Sequence, residues 1–101
     1  MNKYDDWIEI KKDSAHIKRE RKRARDLKKS EWWKKQIQKK ICYYCKGSFK
    51  PADLTMDHIL PVVRGGKTTK GNCVPCCKEC NNNKKFLTPA EIVMRSMHQE
   101  N

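Results

Sequence analysis

Asp57-His58-Ile59-Leu60-Pro61, enclosed between Cys42-Tyr43-Tyr44-Cys45 upstream and Cys77-Lys78-Glu79-Cys80 downstream, decides how this chain is read. Two Cys-x-x-Cys pairs distant in sequence can close on one tetrahedral thiolate site, and whatever lies between them becomes a loop of that knot. A third pair, Cys73 and Cys76, competes for the same role. Gly47 favours a tight turn after the first pair, which lets both sulfurs point at one ion. Cys77 and Cys80 stand three apart at a helix start, where the helix N-terminus favours thiolate charge. Cys73 and Cys76 fall in a segment that would alternate as a strand and that contains Pro75. The expected zinc ligands are therefore Cys42, Cys45, Cys77 and Cys80, in a structural site with no open position. Disulfides or an iron–sulfur cluster are the alternatives.

The composition makes such a staple necessary. Of 101 residues 37% are hydrophobic and 36% charged, too little apolar material for a core that stands alone. No stretch has the length or apolarity of a membrane span, and the N-terminus carries no secretory signal, so the expected location is cytoplasmic. A reducing compartment in turn favours metal over disulfides. Twenty-four Lys and Arg against twelve Asp and Glu give a formal charge of +12, which calls for a polyanionic partner.

The charge is unevenly spread: residues 1–41 hold fifteen basic and seven acidic side chains (+8), residues 42–101 nine and five (+4). The reading is a basic helical arm over 1–41 and a site-bearing domain over 42–101. Ile17 to Ile41 lacks Pro and Gly and favours helix, with Ser30 as an N-cap and Trp33, Ile37 and Ile41 as an apolar face. Within Lys18 to Lys29, the residues Lys18, Arg19, Arg21, Lys22, Arg23 and Arg25 are candidate phosphate contacts, unless the segment is simply a solvated helix. Leu54 to Val63 reads as a strand, Cys73 to Pro75 as a second, and Cys77 to Phe86 as a helix. Thr88-Pro89-Ala90-Glu91 is a capping-box helix start, with Ile92, Val93 and Met97 as the expected buried stripe. Trp33 is assigned to the core; Trp7, Trp32, Tyr43 and Tyr44 could stack on bases. His16 and His98 belong to no pattern and are read as surface residues.

From Cys42 to Lys84 the sequence resembles the HNH nucleases of the His-Me finger class, in the small phage or bacterial form with a four-cysteine zinc site. The resemblance is carried by Asp57-His58-x-x-Pro61, the Gly65-Gly66 loop, Asn72, and Cys77-x-x-Cys80-Asn81-x-x-Lys84, in that order and nesting. It implies a small α+β fold: a ββα-metal core stapled by zinc, flanked by the basic arm and a C-terminal helix. It makes His58 the general base, Asp57 and Asn81 ligands of a catalytic Mg²⁺ or Mn²⁺, and Asn72 a brace across the loop. Asn81 stands where many members have His, which favours an oxygen-liking ion. Asp57 and His58 would point to opposite sides of a regular strand, so a shared site requires that strand to bend or end there.

The implied activity is metal-dependent hydrolysis of DNA, most simply as nicking, with Arg64, Lys84 and Lys85 as further phosphate contacts. The rival readings are a non-catalytic zinc module that binds nucleic acid and an accessory subunit of a phage packaging or restriction complex. A pure binder has no need for Asp57, His58 and Asn81 together.

Overall fold

The computed structural model describes residues 13–99; Trp7 lies outside them. The N-terminal segment forms two helices, α1 (Ser14–Lys28) and α2 (Glu31–Gln38), with the expected N-cap Ser30 between them. Ser30 causes the break. Its hydroxyl donates to the Leu27 carbonyl at 2.6 Å, satisfying the end of α1, and accepts from the Trp33 amide at 3.2 Å, capping α2. One short side chain thereby serves orphan groups of both helices. Asp13 caps α1 by accepting from the His16 amide. Trp33 is buried, as its position in the pattern requires.

The hairpin is shorter at one end and longer at the other than the sequence suggests. Strand β1 (Leu54–His58) pairs antiparallel with β2 (Cys73–Cys77), with Asp57 opposite Val74 and His58 opposite Cys73. β1 stops at His58 rather than continuing to Val63, because Asn72 takes over the ladder. Its backbone carbonyl accepts from the Ile59 amide, its Oδ1 accepts from the Leu60 amide at 2.8 Å, and its Nδ2 donates to Leu60 O and Lys67 O. Pro61 then leads into a single 3₁₀ turn at Val62–Arg64. Gly65 has φ of 93°, a left-handed conformation that suits glycine. At Gly66 a Cβ would sit 1.8 Å from the Leu60 carbonyl oxygen, so no other residue fits that approach.

Helix α3 (Lys78–Lys84) follows β2 directly, with Cys77 as its N-cap, and lies against both strands. The small core is built on the cysteines themselves: Cys42, Leu54 and Cys77, with Ile37, Tyr44, Phe49 and Cys80 packed against them. Helix α4 (Pro89–Gln99) starts with the expected capping box, Glu91 accepting from the Thr88 amide and hydroxyl at 2.9 Å. Its expected buried stripe is not buried. Val93 and Met97 are 59% and 66% exposed, and only Ile92 is partly covered. The hairpin is packed by the other helices: α3 lies against both strands, while α2 and α1 contact β2 and the 62–64 turn. α4 is held instead by polar ties, Arg64 to Glu91 at 2.7 Å and Arg95 to the Asn83 carbonyl at 2.8 Å.

Candidate active site and metal cluster

The sulfurs of Cys42, Cys45, Cys77 and Cys80 all lie within 4.8 Å of one another, with Cys45 and Cys77 at 4.0 Å. Zn–S bonds of about 2.3 Å put tetrahedral sulfurs about 3.8 Å apart, so the four match a zinc site in number, chemistry and spacing. The first pair sits on a turn in which Lys46, not Gly47, takes the left-handed conformation (φ 62°). Gly47 contributes space and a donor: its amide points at the Cys45 sulfur at 3.4 Å, and a Cβ there would meet that sulfur and the Phe49 ring. Amides of Cys77 and Cys80 similarly point at the sulfurs of Cys42 and Cys77. Burial would raise the Cys42 thiol, but the surrounding backbone donors outweigh it and bring it down to about 6. The Cys45 and Cys80 thiols are pushed up: at Cys45 the Gly47 amide opposes the rise, which burial and the Cys42 and Cys77 sulfurs cause, and at Cys80 burial comes first and the neighbouring sulfurs add to it, a crowding that a cation relieves. Cys73 and Cys76, in β2, are not members of that cluster, although Cys76 adjoins it through the Cys42 sulfur. Burial first, and then the Asp57 carboxylate, push them up to about 11 and about 12, which keeps them neutral thiols.

Beside this cluster a cleft of about 190 Å³ is lined by Asp57, His58, Asn81, Lys84 and Lys85 among others. Asp57, buried near the end of β1, accepts from the Tyr44 hydroxyl at 2.6 Å and pairs with the Lys84 ammonium at 3.2 Å. Both contacts fall on Oδ2. Among the described residues no buried side-chain oxygen or nitrogen lacks a partner, so Oδ1 is not a buried orphan. Burial and the Asp57 carboxylate push the Tyr44 phenol well up, leaving it a permanent donor. Asn81, on α3, directs its Nδ2 to the Thr55 hydroxyl at 3.4 Å. Asp57 and Asn81 thus line the same cleft, and carboxylate and amide oxygens are the kinds of donor that suit Mg²⁺ or Mn²⁺.

His58, the last residue of β1, is half-buried, and its Nε2 meets the Thr68 hydroxyl at 2.8 Å. Burial pushes its imidazole below the ordinary value, offset in part by the carboxylates of Asp57 and Glu20. A neutral ring is thus favoured at physiological pH. The Asp57 and His58 partners are separate sets, as alternation along a strand demands. They reach one cleft because the strand ends at His58. Asn72 does not line that cleft; it clasps the 60–67 loop that carries Gly65 and Gly66.

Several basic residues occupy other places than the sequence suggests. Lys84 is neither solvated nor turned toward solvent for phosphate: it is 5% exposed, with its ammonium on Asp57 and on the His58 carbonyl at 3.0 Å. Arg64 is bound to Glu91 rather than projecting as a groove contact. Lys18, Arg19, Arg21, Lys22 and Arg25 are exposed on α1, as is Lys85 at the cleft. Arg23, also largely exposed, pairs with Glu20 at 2.7 Å. His16 is partly buried, its Nε2 at 3.0 Å from the Gly66 carbonyl, and so is not the free surface residue expected.

Sequence reasoning gave Tyr44 only as a base-stacking candidate, missing its bond to Asp57, and missed Thr68 and Glu20 altogether. Tyr44 had a signal, since a residue between two zinc ligands is carried wherever they go. Glu20 had a fainter one: with His16 and Ala24 it completes an i, i+4, i+8 row on a helix, and it is one of only two acids in Lys18 to Lys29. Thr68 had none.

The family described as HNH endonuclease matches residues 42–97, more than half of the chain. A search of curated proteins finds no match. Among the described residues no helix is long and apolar enough to cross a membrane.

Proposed function

The chain belongs to the HNH endonuclease family, and from that premise we propose that it is a metal-dependent DNA endonuclease whose general base is His58. Family membership carries nuclease activity and a DNA substrate. The finer reading rests above all on the cleft that Asp57, His58 and Asn81 share. In it β1, β2 and α3 act as a ββα-metal core, with zinc on Cys42, Cys45, Cys77 and Cys80 as its structural staple.

His58 accepts a proton from the attacking water, and its half-burial supports this by favouring the neutral ring. Asp57 and Asn81 would hold the divalent ion. When bound, that ion neutralises charge on the scissile phosphate and the departing 3′ oxygen. Tyr44 and Lys84 occupy one oxygen of Asp57, leave the other to the ion, and offset its charge so that a single buried carboxylate is tolerated. Asn72 keeps the loop beside His58 in register. The exposed basic residues of α1, with Lys85, supply non-specific phosphate contacts. One such site in one chain cuts one strand per encounter, leaving 5′-phosphate and 3′-hydroxyl ends.

Supercoiled plasmid incubated with the protein tests the reading. Conversion to open circles with Mg²⁺ or Mn²⁺, abolished by EDTA, is expected. Binding without cleavage under every divalent ion would replace it with the non-catalytic zinc module or an accessory subunit that needs its partner.

A further inference from the structure

Helix α1 lies outside the 42–97 match, yet it carries the least exposed charged side chain described, Glu20, 1% exposed in an otherwise solvated basic helix. An isolated buried carboxylate is costly, so its partners must compensate. They do so completely. Oε1 accepts from the Thr68 backbone amide at 2.6 Å, Oε2 accepts from Arg23 at 2.7 Å, and the Glu20 backbone carbonyl accepts from the Thr68 hydroxyl at 3.1 Å. Three of Glu20's oxygens thus converge on Thr68 and its neighbour in the helix, and two of them fix Thr68.

The Thr68 hydroxyl is also the group that meets His58 Nε2 at 2.8 Å. A threonine hydroxyl has a single proton, and a carbonyl oxygen has none to give. Only one assignment satisfies both contacts: the hydroxyl donates to the Glu20 carbonyl, and the imidazole donates its Nε2 hydrogen to the hydroxyl. The reverse would leave two oxygens facing each other at 3.1 Å with no proton between them. With the hydrogen on Nε2, the Nδ1 lone pair is left, and Nδ1 is not a buried orphan.

We propose that Glu20 and Thr68 are positioning residues for His58, α1 fixing the imidazole in its Nε2–H tautomer so that Nδ1 is presented to the cleft as the proton acceptor. This deepens the nuclease reading and gives α1 a role distinct from phosphate binding. It also divides α1 by face: exposed Lys and Arg toward DNA, Glu20 inward toward the general base.

Three full-length variants test it: Thr68→Val, which removes the hydroxyl at nearly constant shape; Thr68→Ser, which keeps it; and Glu20→Gln. Zinc content and melting establish that each is folded. The direct readout needs no activity. Heteronuclear NMR of the imidazole nitrogens, with His58 assigned by its loss in His58→Ala, should show the Nε2–H tautomer in wild type and Thr68→Ser and a tautomer mixture in Thr68→Val. In nicking assays Thr68→Val should lose about 10- to 100-fold in kcat with KM for DNA unchanged. Glu20→Gln should lose less, also in kcat, and Thr68→Ser should recover most of the Thr68→Val deficit. A wild-type tautomer in Thr68→Val, or a loss confined to KM, would overturn the proposal. An inactive wild type would overturn the nuclease reading alone, since the tautomer would still be decided.

Discussion

Helices α1 and α4 flank the same hairpin and are attached to it on different terms. α1 is strongly basic and presents little that is apolar beyond Ile17, Ala24 and Leu27, yet it is anchored by a buried carboxylate with every oxygen engaged. α4 carries Val93, Met94 and Met97 and leaves all three exposed, held at its start by a capping box and an Arg64–Glu91 pair. The difference teaches that in a domain whose small core is built on cysteines, apolar area does not decide which helix docks. Directional bonds to a specific loop do.

The largest expected effect would break the comparison altogether. Cys42→Ser or Cys80→Ser should release zinc and unfold the domain, because metal binding on the order of 10 kcal/mol substitutes for the missing core, and both helices would lose their platform. Cys73→Ser and Cys76→Ser should keep zinc at wild-type stoichiometry. Metal analysis and melting of the four variants check this; zinc lost from Cys73→Ser and kept in Cys80→Ser would reverse the ligand set.

Next comes the anchor of α1. Glu20→Ala leaves the Thr68 amide and Arg23 without their acceptors and should cost about 2 kcal/mol in denaturant unfolding. The effect has a signed pH dependence. Burial alone would raise the Glu20 carboxyl, but the Thr68 amide and Arg23 outweigh it and hold the carboxyl below its ordinary value. Its stabilisation is therefore full above about pH 4.3 and lost as pH falls through the folded-state value. The melting gap between wild type and Glu20→Gln should narrow on acidification. A gap that widened would contradict the assignment.

At α4 the effects should be smaller. Glu91→Ala removes both the capping box and the Arg64 pair and should cost about 1 kcal/mol. Met94→Gln and Met97→Gln should change stability by less than about 0.5 kcal/mol, as expected where no packing is lost. A drop of several kcal/mol at either methionine would mean that α4 is covered in solution.

How much of this was legible in the sequence follows from which signals are local. The four-cysteine cluster could be read because a Cys-x-x-Cys on a turn and another at a helix start are each local geometries; lying in a strand was the weaker signal, since Cys77 ends the same strand as Cys73 and Cys76. The Ser30 cap and the Thr88–Glu91 box are local for the same reason. The end of β1 was not, because it depends on Asn72 reaching back across the loop to Leu60. Lys84 and Arg64 read as phosphate contacts because their acidic partners, Asp57 and Glu91, are 27 residues away in each case. Glu20 and Thr68 are 48 residues apart, and only the fold reveals that they touch.

The central claim is that His58 is the general base, and a single substitution tests it most directly. His58→Ala should keep zinc, fold and DNA affinity while plasmid nicking falls by roughly two to four orders of magnitude, the usual contribution of acid–base assistance. Extra Mn²⁺ should not restore it, whereas it should partly restore Asp57→Ala or Asn81→Ala. Purified His58→Ala that nicks as fast as wild type would contradict the account.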